Sequence, residues 1–268
     1  MENNSTHTFD PYTDKKVRDS SKVMLMSFIT FSVTMMFGGL ISAYLVSSIG
    51  QYWVHLTPPT ALWISNALII ASSATLFASL KAMKGGDSNR SKLLLIATLT
   101  LGIGFTLSQY SGWNSLAQIG SGWDTETNEE GLVSYSWNRI YVLMEGDAVY
   151  GDDFDVQVNG TPLLFNSETR DLYAPNDPLM VRPITSDVIH LTNSSASYIW
   201  ALILIHLLHL AFGIIYICVN LARISKGIIN PEDTVRLQVL SIFWHFLGGL
   251  WLVLFFVLLV FAALSSAI

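Results

Sequence analysis

The sequence predicts an all-α integral membrane protein. It reads as five transmembrane helices, N-terminus cytoplasmic and C-terminus outside, with a small, β-rich extracytoplasmic insertion between helices three and four. Three observations predict this. Hydrophobic residues make up 51% of the 268 and charged residues only 13%, about half the charged share of an ordinary soluble domain. Five stretches are long enough to cross a hydrocarbon core of about 30 Å, which takes about 20 apolar residues as a helix. Eleven of the fourteen lysines and arginines fall in alternate connections between those stretches, as the preference of basic residues for the cytoplasmic side requires.

The five stretches are Val23–Ile49, Pro59–Leu80, Leu93–Trp113, Ser197–Ala222 and Val239–Ser265, and none contains Asp, Glu, Lys or Arg. Backbone polar groups must be satisfied internally at that depth, so these stretches are helices. The chain divides into an N-terminal cytoplasmic segment (1–22), helices one to three (23–113), the insertion (114–196) and helices four and five (197–268). Residues 1–22 are polar and lack the apolar core of a signal peptide, so the first span is retained. Lys15, Lys16, Arg18 and Lys22 precede helix one; Lys81, Lys84, Arg90 and Lys92 follow helix two; Arg223, Lys226 and Arg236 lie between helices four and five. The single cysteine, Cys218, forms no intrachain disulfide and reads as a packing residue.

Small residues mark the faces where helices approach closely. Helix one has Gly38, Gly39 and Ala43; helix two has Ala67, Ala71, Ser72, Ser73, Ala74 and Ala78; helix three has Gly102 and Gly104. Such faces serve packing within the bundle, docking on another protein, or both.

Residues 114–196 are different material. Thirteen of the twenty acidic residues lie here against three arginines, a formal charge of −10. Alternation near Leu132–Leu143 predicts a strand, and Asn159-Gly160 predicts a hairpin turn. Two readings stand open: a solvated surface domain, or an electrostatic landing surface for a basic partner or another subunit.

The strong local chemistry lies in the last two helices: Ile205-His206-Leu207-Leu208-His209, then Gly213 and Arg223, followed by Phe243-Trp244-His245-Phe246 and Trp251. His206 and His209, three apart, share a helix face. If Arg223 and Arg236 mark one interface, His206 lies roughly 25 Å and His245 roughly 13 Å from it. Metal–imidazole bonds of about 2 Å do not span that difference, which argues against a three-histidine centre. The remaining readings are histidines hydrogen-bonding across helices and, as an alternative, haem ligation by His206 or His209 in a stand-alone membrane cytochrome. Charge-free spans argue against a transporter or pump. The sequence has no phosphate loop, zinc pattern, framed nucleophile or basic nucleic-acid patch.

Taken together, His206, His209, Gly213 and Arg223, then Trp244, His245, Phe246 and Trp251, resemble subunit III of haem–copper oxidases, the cytochrome c oxidase subunit III family. Ser72-Ser73, Ala78 and Gly86, and Leu101-Gly102, Phe105-Thr106-Leu107 and Gln109, add to the resemblance. It covers helices two to five well and helix one loosely. It implies the five-helix form of a subunit that carries no catalytic, cofactor or metal site. Haem and copper are then expected in partner subunits I and II, phospholipid is bound, and the chain supports turnover and proton uptake by its neighbour. Arg223 would contact a phospholipid headgroup, and His206, His209, His245, Trp244 and Trp251 would be structural polar packing positions. The implied location is a bacterial cytoplasmic membrane. A quinol oxidase or nitric oxide reductase homologue is the near alternative. Carboxylates typical of the family appear here as Thr34, Gln238 and Gly248. The insertion is also unusual for the family and suggests an added outer partner, cytochrome c or another respiratory complex.

Overall fold

The computed structural model describes residues 15–127, 133–137 and 139–260. In chain order these form α1 (Lys15–Ser47), β1 (Tyr52–Leu56), α2 (Thr60–Lys84), α3 (Ser88–Gln118), β2 (Trp123–Thr127), β3 (Val133–Trp137), α4 (Ile140–Glu145), β4 (Phe154–Val158), β5 (Thr161–Pro162), β6 (Leu164–Asn166), β7 (Asp171–Tyr173), α5 (Thr185–Ile189), α6 (Ser194–Ser225) and α7 (Val235–Phe255), the last continuing as a π-helical turn over Phe256–Val260. Five helices, α1, α2, α3, α6 and α7, are long and apolar enough to span a membrane. α1, α3, α6 and α7 begin before the apolar stretches that announced them, and α2 begins one residue after, at Thr60. The Asp87 carboxylate accepts the Arg90 N–H at 2.9 Å and starts α3; the Asn193 side chain accepts the Ala196 N–H and starts α6. These capping residues satisfy end groups that hydropathy does not register. The first fourteen residues and the expected tail of helix five beyond Val260 lie outside the described residues.

The buried positions of the bundle follow a seven-residue repeat. In α3 they are Ser91, Leu95, Thr98, Gly102, Phe105, Gln109, Gly112 and Leu116, in steps of four and three. In α2, Leu62, Ser65, Ile69, Ser72, Leu76, Ser79 and Met83 step the same way, and Leu237, Leu240, Trp244, Leu247, Trp251 and Leu254 do so in α7. Alternating steps of three and four keep one seam facing its partner along a slightly inclined neighbour. α2 and α3 pair over their length as an antiparallel hairpin; α7 packs on α1, α2 and α6, and α3 on α6. α1 buries Val33, Phe37 and Tyr44 but exposes Phe28, Phe31 and Met35. Gly38 and Gly39 have nothing within 4 Å of where a Cβ would stand, so among the described residues this small face packs on nothing. Cys218 is exposed, which corrects its reading as a packing residue.

The strands between α3 and α6, together with β1, form three pieces of antiparallel sheet among the described residues: β1–β4–β5, β2–β3 and β6–β7. β1 comes from the short α1–α2 connection and β4 from the insertion, so both belong to one end of the bundle. The Asn-Gly hairpin is present: β4 pairs with β5, and Asn159 and Gly160 take φ of 51° and 78°, the positive pair a type I′ turn needs. The strand expected over Leu132–Leu143 is corrected in part. β3 covers Val133–Trp137, but Ile140–Glu145 is the helix α4, because Ile140, Leu143 and Met144 recur at helical spacing and are buried together. Leu132 and Asn138 lie outside the described residues.

Candidate functional site

The centre of the bundle is built on two tryptophans one heptad apart on α7. Trp244 is fully buried, and its Nε1–H donates to the Ser72 hydroxyl on α2 at 3.0 Å. Ser72 in turn donates to the Ile69 carbonyl at 2.9 Å, so the hydroxyl is used in both directions. The indole fits only because two other helices present glycine to it. A Cβ at Gly102 of α3 would stand 3.0 Å from Trp244 Cη2, and one at Gly213 of α6 would stand 3.2 Å from its Cε3. One side chain of α7 thereby sets the spacing of α2, α3 and α6.

Trp251 repeats the arrangement a level further along. Its Nε1–H donates to Asn66 Oδ1 on α2 at 2.9 Å, Phe105 of α3 meets it edge-on with centroids 5.8 Å apart, and His206 of α6 lies 5.4 Å away. Between the two indoles Gly248 lets α7 approach α2, where a Cβ would stand 3.2 Å from Ile69. The position at which the resemblance expects an aspartate is thus a helix contact.

The histidines act differently from the expectation that they bond across helices. His209 Nδ1 lies 2.7 Å from the Ile205 carbonyl and His245 Nδ1 2.6 Å from the Ser241 carbonyl, each four residues back on its own helix. The indoles make the inter-helix bonds because their donor stands at the far edge of a large ring; a short imidazole is captured by its own backbone. His206 is 3% exposed, its Nδ1 has no partner, and Phe37 of α1 meets both its ring and that of His209 edge-on. His206 stands level with Trp251, six residues beyond His245 on α7, which separates the two histidines by roughly 9 Å along the axis. Among the described residues no three His, Cys, Asp or Glu side chains come together as a metal-holding group.

A polar seam, missed in the sequence, joins α2 to α3. Gln109 Nε2 donates to Ser65 Oγ at 2.6 Å, Thr75 and Thr98 hydroxyls lie 2.9 Å apart, and Ser79 Oγ donates to the Ser91 carbonyl at 2.8 Å. The signal was available: Ser65, Ser72 and Ser79 recur every seven residues. Thr34 and Gln238, the other two positions lacking the expected carboxylates, do not join the seam. Thr34 donates to the Thr30 carbonyl on an exposed face, and Gln238 is half-buried near the start of α7. Arg223 is half-buried in the last turn of α6, and the Tyr216 hydroxyl donates to the Arg236 carbonyl at 3.4 Å, which ties that end of α6 to the start of α7.

No family model matches the chain. It is 38% identical over 56 residues to subunit 3 of a cytochrome bo(3) ubiquinol oxidase from Pseudomonas putida, covering 21% of this chain and 27% of that one. It is 33% identical over 64 residues to subunit 3 of a cytochrome c oxidase from Alkalihalophilus pseudofirmus, covering 24% and 31%. The matched stretch spans less than a third of the length of either curated relative. Over those stretches the chain resembles haem–copper oxidase subunit III, and its five apolar helices make it a multi-pass membrane protein.

Proposed function

We propose that this chain is a non-catalytic subunit III of a respiratory haem–copper oxidase, which reduces oxygen to water in aerobic electron transport. The observation that carries the reading is similarity to subunit 3 of two different oxidases. The geometry supports it, since indole, hydroxyl and amide groups inside the bundle are spent on joining helices. In this reading the open face of α1 around Gly38 and Gly39 docks on the catalytic subunit, and the chain stabilises that subunit and supports its proton uptake. Subunits I and II carry the haem and copper. Arg223 holds a phospholipid headgroup at the cytoplasmic surface, with the N-terminus on that side. The acidic insertion faces the outside of a bacterial cytoplasmic membrane and meets cytochrome c or another respiratory complex. The ubiquinol oxidase named among the relatives favours a second reading of the donor, a quinol in place of cytochrome c.

The test is a gentle detergent pull-down on a tag placed on this chain, with a reduced-minus-oxidised haem spectrum and peptide identification. Haem should arrive only with larger partner chains, whose identities name the donor, and be lost when they are stripped. Haem retained by the isolated chain would make His206 and His209 ligands and overturn the proposal; neither haem nor partners would revive the transporter. Deleting the insertion should change complex assembly or the salt dependence of donor kinetics, and no change in either would remove its proposed partner.

A further inference from the structure

We propose that the face shared by β1 and β4 is a binding site for a divalent transition-metal ion, held by the His55 imidazole and the Asp155 carboxylate with the Gln157 amide oxygen beside them. The register puts His55 directly opposite Asp155 and Trp53 directly opposite Gln157. Residues opposite one another in an antiparallel pair point to the same face, with Cβ atoms about 4.5–5.5 Å apart, so all four side chains share one side of the ladder.

That side is largely closed off from water, with Asp155 half-buried at its edge. His55 is 4% exposed, Trp53 and Gln157 each 6%. Trp53 lies under an aromatic roof, its ring 5.3 Å from Tyr44 of α1 and 6.0 Å from Tyr198 of α6, and the Tyr198 hydroxyl is 2.7 Å from Ser47 Oγ. Within this enclosure both ring nitrogens of His55 have no hydrogen-bond partner, while the Gln157 amide lies beside the Asp155 carboxylate and the Trp53 N–H beside the Tyr44 hydroxyl. Buried polar atoms are nearly always paired, so an enclosed imidazole with both nitrogens unpaired, directly opposite a carboxylate, marks a place where something polar binds.

The donor set selects a cation. A neutral imidazole and a carboxylate are the ordinary nitrogen and oxygen ligands of zinc-like ions, with bonds of about 2.0–2.2 Å. The Gln157 amide offers an oxygen as third ligand and water fills the remaining position. Because β1 belongs to the α1–α2 connection and β4 to the insertion, the ion would pin the insertion to the membrane bundle. This inference does not depend on the oxidase reading.

The test uses the full chain in detergent, stripped with EDTA and dialysed against Zn(II) alone. We expect about one ion retained per chain, and at least a roughly tenfold loss of affinity in His55→Gln and in Asp155→Asn. His190→Gln, at an exposed histidine of the insertion, should bind as the wild type does. A second measurement needs no variant: proteolysis within residues 139–192 should slow by about tenfold in Zn(II) relative to EDTA, because binding to the folded form stabilises it. Retention in both variants, no retention by the wild type, or a cleavage rate indifferent to Zn(II) would overturn the proposal; the nest would then hold water only.

Discussion

The Trp244–Ser72 hydrogen bond should contribute a measurable coupling to the stability of the bundle. The perturbation is a double-mutant cycle of Trp244→Phe and Ser72→Ala. Ser72→Ala strands an indole N–H that is fully buried and 3.0 Å from its acceptor. Trp244→Phe removes the donor and leaves space between Gly102 and Gly213, while the Ser72 hydroxyl keeps its bond to the Ile69 carbonyl. The space left by the smaller ring is common to the single and double mutants and cancels in the cycle. What remains is the bond itself, and inter-helix hydrogen bonds within membranes average about 0.6 kcal/mol, reaching about 1.7. We expect the upper half of that range, because the ring is clamped between Gly102 and Gly213 and its donor is fully buried. Reversible unfolding in mixed micelles with increasing SDS, followed by circular dichroism, gives the four free energies. Additivity within about 0.3–0.5 kcal/mol, the behaviour of independent sites, would refute the view that Trp244 ties α7 to α2 through its indole N–H.

Other outcomes follow from the same geometry. Gly102→Ala places a methyl 3.0 Å from Trp244; overpacking of this kind costs about 1–3 kcal/mol, and the same SDS titration should show it, with relief when Trp244→Phe is added. Gly160→Ala forces a side chain into φ of 78°, a strain of about 1–3 kcal/mol that should speed proteolysis of the insertion and leave the helical signal of the bundle intact. For the metal-free chain the two buried groups at the outer junction oppose one another. Asp155, raised to about 6, contributes stability that is present below about pH 4 and lost as pH rises through 6; His55, lowered to about 4, contributes stability present above about 6.5 and lost as pH falls through 4. Proteolysis of the insertion should therefore change little between pH 4 and 6.5 in the wild type. It should quicken toward acid in Asp155→Asn and toward neutral pH in His55→Gln, and parallel profiles in all three chains would show that neither group titrates with folding.

The five spans were legible because a membrane imposes one rule everywhere: the backbone must satisfy itself and the side chains must be apolar. That rule reads from composition alone. Their ends were less so, since Asp87 and Asn193 extend α3 and α6 through local capping bonds outside the apolar core. The Asn159-Gly160 turn was also readable, because its positive φ angles are a local demand on residue type. The chemistry inside the bundle was less legible. Trp244, Trp251, His206 and His209 stand at the centre, but only the indoles bond across helices. Which polar tip reaches a neighbour and which folds back on its own carbonyl depends on the distance between axes, and Gly102, Gly213 and Gly248 set that distance from three different helices. The pairing of β1 with β4 was equally invisible. Residues 52–56 and 154–158 are separated by two membrane crossings, and no local preference links His55 to Asp155. By itself the sequence determined what crosses the membrane and where the chain turns, both matters of local solvation and backbone geometry. Only the tertiary structure decided which distant groups share a face, because that depends on how closely separate segments pack.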